Sequence, residues 1–138
     1  VSISFGPPGP SDRCPCLSGD SYGSCCARYH RGEAAAPTAE ALMRSRYSAF
    51  AANDGGYLLR TWHSSTRPAG LDLDPQTHWR RLDILGTVRG GFLDADGVVE
   101  FRAYSRRDDV TSVLHETSSF VREDGRWVYL EAKHLELS

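Results

Sequence analysis

Two periodicities organise most of the chain. Ala39, Leu42, Met43, Tyr47 and Phe50 recur at helical spacing and predict an amphipathic helix. Thr38, after Pro37, is its cap, and Glu40 places an acid at its positive end. Asn53-Asp54-Gly55-Gly56 stops it, and residues 57–62 predict a second, short helix. A third is predicted from Asp74-Pro75, with Asp as cap, Pro in the first turn, and His78, Trp79 and Leu82 at helical spacing. From Ile84 the period changes to two. Strands are predicted over residues 84–93, 98–106, 112–122 and 127–133. The first is weakened by Gly86, Gly90 and Gly91. The second lines Val99, Phe101 and Ala103 on one face, and the third Leu114, Glu116, Ser118 and Phe120. Three helices followed by a four-strand antiparallel meander is an α+β plan.

Neither periodicity covers the N-terminal part. Residues 1–11 hold Gly6, Pro7, Pro8, Gly9 and Pro10 and read as a flexible lead-in. Residues 12–32 offer only Leu17, Tyr22 and Tyr29 as sizeable apolar side chains, too few to fold by burial. Residues 33–37 read as a linker and 38–138 as the packed domain. Residues 12–32 carry all four cysteines, at 14, 16, 25 and 26. Four thiols so close together match the ligand count of a tetrahedral zinc site. Thiolate–zinc bonds would replace the missing core, contributing on the order of 10–16 kcal/mol in small zinc modules. With all positions taken by protein, one such zinc per chain is structural. Disulfide or redox chemistry and idle thiols are the alternatives. One disulfide pairing would join the neighbours Cys25 and Cys26, a strained bond, and the C-x-x-C redox spacing is absent. Arg13, Arg28 and Arg31, with His30 nearby, flank the thiols and can offset their charge, and Ser18-Gly19-Asp20 supplies a turn whose amides are expected to point at sulfur.

Composition narrows the function classes. The chain has 138 residues, 40% hydrophobic and 25% charged, as in an ordinary globular domain. Its apolar runs are too short to span a membrane. A net charge of −2 announces neither nucleic acid nor a membrane surface as partner. Lys133 is the single lysine among sixteen basic residues, which reads as coding bias. No secretory leader is evident, so a cytoplasmic setting with reduced thiols is expected. No triad order, phosphate loop or dinucleotide fingerprint is present, so an enzyme is the less favoured reading and no catalytic residue is assigned.

The run Cys14-Pro15-Cys16-Leu17-Ser18-Gly19-Asp20-Ser21-Tyr22-Gly23-Ser24-Cys25-Cys26 resembles the SEC-C zinc motif, best known from the C-terminal tail of the SecA translocation ATPase. That pattern has glycine after the second cysteine, where this chain has Leu17. Because a positive backbone angle strains leucine, a different local turn is expected there. Pro37 to Phe50, Tyr57-Leu58-Leu59, Thr61-Trp62-His63, Val99-Glu100-Phe101, His115 to Phe120 and Trp127-Val128-Tyr129 resemble the YchJ-like (UPF0225) family of uncharacterised bacterial proteins. The resemblance implies an NTF2-like cone, three helices on a curved four-strand sheet, behind an N-terminal zinc knuckle. It also implies a protein-interaction or adaptor role for the knuckle, with Tyr22 and the flanking arginines as contacts. A homodimer through the sheet's open face is a further expectation from other cone folds.

Cones of this kind usually enclose a cavity, and some relatives are isomerases or hydratases with a carboxylate inside. Glu116, on an otherwise apolar row, is the candidate carboxylate, with Arg46 placed to pair with it. Tyr47, Trp62, His63, Ser118, Phe120 and Tyr129 complete the candidate pocket. A small-molecule binder or isomerase-like enzyme around Glu116 is therefore the alternative to the adaptor reading. A buried Glu–Arg pair that merely fixes the first helix to the sheet is the simpler account of the same residues.

Overall fold

The computed structural model describes residues 8–138. The greater part of the predicted lead-in lies outside them. A single 3-10 turn, Tyr22–Ser24, precedes three helices: α1 Cys26–His30, α2 Ala39–Ala51 and α3 Gly55–Arg60. Four strands follow: β1 His78–Arg89, β2 Asp96–Arg107, β3 Val110–Glu123 and β4 Arg126–Leu137. They form one antiparallel sheet in the order β1-β2-β3-β4.

The long helix begins and runs as its sequence dictates. The Thr38 hydroxyl accepts from Ala41 N at 3.0 Å, and Asp54 caps α3 by accepting from Tyr57 N at 3.1 Å. Leu42, Met43 and Tyr47 pack into one core with Leu82, Val99, Phe101, Ala103, Phe120 and Trp127 from the sheet. The N-terminus of α2 meets the β1–β2 hairpin at a glycine pair. Ala39 N donates to Gly90 O at 2.9 Å, and Gly90 has φ +79°. A Cβ on Gly97 would lie 2.4 Å from Gly90 Cα, so only glycine fits there.

The helix predicted from Asp74-Pro75 does not form. His78, Trp79 and Leu82 belong to β1, whose pairing with β2 shifts register between Trp79 and Arg81 and again between Ile84 and Gly86. Each bulge inserts one residue and returns the strand to the same face after three positions instead of two. Trp79 and Leu82 thus both meet the core, as do residues three apart on a helix. The third helix is α1, inside the cysteine segment. The strands predicted to begin at 98, 112 and 127 are present and run longer than predicted, because hairpin pairing continues beyond the alternating apolar positions.

Candidate metal centre

The cysteine segment is a folded knuckle held by backbone hydrogen bonds. Tyr22 N donates to Asp12 O at 2.8 Å and Cys14 N to Asp20 O at 3.0 Å, closing a small antiparallel loop. Gly23 N donates to Pro10 O at 2.9 Å, which ties the end of the predicted lead-in to the knuckle. A turn from Leu17 N to Cys14 O, 3.0 Å, brings Cys16 back beside Cys14. Leu17 makes that turn with φ +64°. The turn expected to differ is therefore kept, and leucine carries its strain. Cys25 and Cys26 sit at the start of α1.

All four sulfur atoms lie within 4.8 Å of one another. Cys14, Cys16 and Cys26 are buried and Cys25 is half-buried. A tetrahedral ion with Zn–S bonds of about 2.3 Å sets its sulfurs roughly 3.8 Å apart. Cys16 and Cys25 Sγ are 3.7 Å apart, and Cys25 and Cys26 Sγ 3.9 Å. The Ser18 hydroxyl donates to Cys25 Sγ at 3.2 Å, so a hydroxyl directs a hydrogen bond at sulfur where backbone amides were expected. Hydrogen bonds from Cys16 and Cys26 push the Cys14 thiol far down, and the same hydrogen bonds to Cys14 push Cys16 up to about 11 and raise Cys26. Four thiolates are compatible here only with a cation among them. The residues fit a four-coordinate metal, and these four cysteines can bind one.

The knuckle does not stand apart from the body. Cys14 Sγ lies 3.6 Å from Ser48 Oγ, and Arg44 donates to Cys16 O at 2.7 Å. His30 Nε2 donates to Ser45 O at 2.8 Å. The neutral ring then has its lone pair on Nδ1, which accepts from Tyr22 OH at 2.5 Å. His30 lies between the Tyr22 and Tyr57 rings, and burial lowers its pKa. Tyr22, expected to face a partner, is thus engaged internally. Sequence reading passed over Arg44, Ser45 and Ser48 as docking residues. The available signal was a second row of small residues on α2, Ser45, Ser48 and Ala49, all fully buried.

The cone interior holds the remaining candidates. Glu116 is 8% exposed and Ser118 fully buried, on the inward face with Phe120 as expected. The Ser118 hydroxyl donates to Glu116 Oε2, and Tyr129 OH reaches the same oxygen at 3.4 Å. Arg46 does not form the expected ion pair. It is 4% exposed, donates to Leu58 O and Thr61 Oγ1, each at 2.8 Å, and lies over the Trp62 and Tyr129 rings at 5.2 and 4.8 Å. Carbonyl and aromatic partners from α3 and β4 hold the guanidinium, and burial lowers its pKa to about 10. Tyr47 is buried edge-on to Trp79. His63 sits at the rim, 3.6 Å from Glu123, with its backbone N donating to Tyr129 O. A groove of about 810 Å³ opens elsewhere, between the linker, α3 and the β3–β4 turn. Tyr29, Arg60, Arg67, Glu123, Arg126 and Trp127 are among its walls, and none of the predicted pocket residues lines it.

A family model for the SEC-C motif matches residues 11–28, and one for the YchJ middle NTF2-like domain matches residues 38–132. The chain belongs to the UPF0225 family. A UPF0225 protein of Streptomyces coelicolor is 54% identical over 92% of this chain and 99% of its own length. One from Corynebacterium efficiens is 55% identical over 85% of this chain and 89% of its own. Two solved structures of SEC-C motif containing proteins share the fold. The solution structure from Rhodopseudomonas palustris has TM-score 0.77 and 33% identity, covering 89% of this chain and 98% of that one. The crystal structure from Psychrobacter arcticus has TM-score 0.73 and 28% identity, covering 94% and 86%. Both halves of this UPF0225 chain, knuckle and cone, thus match known models. No helix among its described residues is long and apolar enough to cross a membrane.

Proposed function

We propose that Cys14, Cys16, Cys25 and Cys26 hold one structural zinc ion per chain, and that the knuckle is a protein-interaction surface of a cytoplasmic adaptor. The observation that carries the metal reading is the sulfur geometry: 3.7 and 3.9 Å spacings match a tetrahedral thiolate site. Zinc bound there supplies a cross-link with no open coordination position. Thiolate ligation needs reduced cysteines, which fits a cytoplasmic setting. The interaction reading rests on what the docked knuckle leaves outward. Arg13, Leu17, Arg28 and Arg31 are exposed beside the centre, whereas Tyr22 is not free. Metal analysis of protein purified under reducing conditions, paired with thiol titration, is expected to give one zinc per chain. A content well below one with the thiols reduced overturns the metal reading. For the interaction, Leu17→Asp with Arg28→Glu and Arg31→Glu is expected to lose partners that the wild-type protein retains from a bacterial lysate. Equal capture by both overturns it.

A second reading is favoured by one observation in the cone. Arg46 and Glu116 are both buried and not ion-paired, and Trp62 Nε1 is buried without a protein partner. Buried polar groups left apart in this way suit a small polar ligand. Glu116 would anchor it, or exchange a proton with it, beside Tyr129 and Trp62. Thermal-shift screening against small carbonyl and carboxylate compounds, with Glu116→Gln as control, tests this. A stabilising hit that the variant loses supports the reading, and hits shared equally by the variant count against it.

A further inference from the structure

The connection between β1 and β2 turns two large apolar side chains to solvent and fixes them there. Phe92 is 71% exposed and Leu93 92%, the highest exposure of any large apolar side chain among the described residues. Hydrogen bonds hold the backbone beneath them. Asp94 N donates to Gly91 O and Gly91 N to Asp94 Oδ2, both at 3.0 Å. Arg122, on β3, donates from Nη2 to Phe92 O at 2.6 Å and from Nε to Asp94 O at 2.8 Å. Its Nη1 donates to Gly125 O in the β3–β4 turn at 3.0 Å, and its guanidinium lies over the Trp127 ring at 4.6 Å. That turn and Trp127 also wall the groove of about 810 Å³. One arginine therefore ties an apolar knob to the rim of an open groove. A tip fixed before contact loses little freedom on binding.

We propose that the Phe92-Leu93 tip docks in this groove on a second copy of the chain, forming a two-fold dimer. Knob and groove are neighbours on one surface. Two copies related by a two-fold axis can therefore fill each other's groove at once, and the assembly closes instead of growing into a filament. The groove is apolar where Ala36, Trp127 and Val128 line it, and its volume falls in the range that takes a drug-sized ligand, ample for one phenyl and one isobutyl group. Charge agrees with shape. Asp94 and Asp96 flank the tip and share one arginine, Arg89. The groove presents Arg67 and Arg126, neither of them ion-paired among the described residues. Of its acids, Glu33 is paired with Arg31 and Glu123 accepts from Ser64 N and Oγ, which leaves Asp124. An acid-flanked apolar knob and an arginine-rimmed groove are complementary, and this chain carries both.

Full-length protein purified under reducing conditions is followed by light scattering and by concentration-dependent amide shifts. A rise from monomer towards dimer mass is expected, with shifts at residues 91–95 and at Ser64, Arg67 and Arg126. Phe92→Ser with Leu93→Asp removes the knob, and Arg67→Glu with Arg126→Glu reverses the charge of the groove. Each pair is expected to weaken association ~10-fold or more, because every substitution counts twice across the axis. All four side chains are exposed, so an unchanged melting midpoint serves as the fold control. Mixing isolates this contact from any other. Isotope-labelled groove variant is expected to show tip shifts on addition of unlabelled knob variant, whose groove is intact, and none on addition of unlabelled groove variant. The wild-type shifts decide the matter even if a variant fails to fold. A protein that stays monomeric up to about 1 mM overturns the proposal, and tip shifts seen only with phosphatidylglycerol vesicles would then assign the tip to a membrane. A dimer that survives both variant pairs, or shifts confined to the outer face of the sheet, also overturns it.

Discussion

Leu17 holds φ +64°, a conformation that costs a non-glycine residue roughly 1–2 kcal/mol. Glycine would remove that strain and give back roughly 0.5–1 kcal/mol in chain entropy. Leu17→Gly is therefore expected to stabilise the protein by roughly 0.5–1 kcal/mol, read as a higher urea midpoint of the metal-loaded form. His30 has the opposite character, because it is well placed only while neutral. Tyr22, Tyr57, Asp54, Cys14 and Arg60 surround it, and burial is the main cause of its lowered pKa. The unfolded chain takes up a proton near pH 6.5, the folded ring only at lower pH. Stability from this group is complete above about pH 6.5 and falls as pH drops below it. Paired urea unfolding of wild type and His30→Gln between pH 7.5 and 5.5 is expected to show a steeper loss in wild type. Parallel slopes would show that other groups carry the pH dependence.

At the scale of elements, the knuckle and the cone are held by different forces. The cone has a core of Leu42, Tyr47, Val99, Phe101, Phe120 and Trp127. The knuckle's buried cluster is Cys14, Cys16 and Cys26, with Tyr22 and Cys25 against it. Chelation is expected to raise amide exchange across Cys14–Cys26 and α1 while β2 and β3 stay protected, measured by hydrogen exchange with and without chelator. Uniform loss of protection would mean that the cone also depends on the metal. The contact between α2 and the β1–β2 hairpin makes its own demand. A Cβ on Gly97 would meet the Gly90 backbone at 2.4 Å, so Gly97→Ala is expected to cost about 2 kcal/mol or more. An unchanged melting midpoint would show that the hairpin yields freely.

Across the whole molecule, α2 is the shared element. Its Leu42, Met43 and Tyr47 face the sheet, while the Ser48 hydroxyl and the Ser45 carbonyl meet the knuckle. The first face was legible because large apolar residues at helical spacing announce themselves. The second was not, because small polar residues look alike whether they meet solvent or a neighbouring backbone. The four cysteines were legible as a cluster because residues 12–32 hold too few large apolar side chains to fold by burial. Arg46 and Glu116 were correctly placed inside, yet their pairing was not, since the distance between α2 and β3 is set by everything packed between them.

The sequence by itself determined the start and extent of α2, the inward rows of β2 and β3, and the grouping of the thiols. Each of these follows from a local period, a cap or the spacing of a few neighbours. Tertiary structure decided that Trp79 and Leu82 share a strand face across a bulge, that α1 supplies the third helix, and that the knuckle docks on α2. It also decided that the Phe92-Leu93 tip and the groove beside Trp127 flank one arginine, Arg122. These depend on register and on contacts between residues far apart in the chain, where no local preference distinguishes one partner from another.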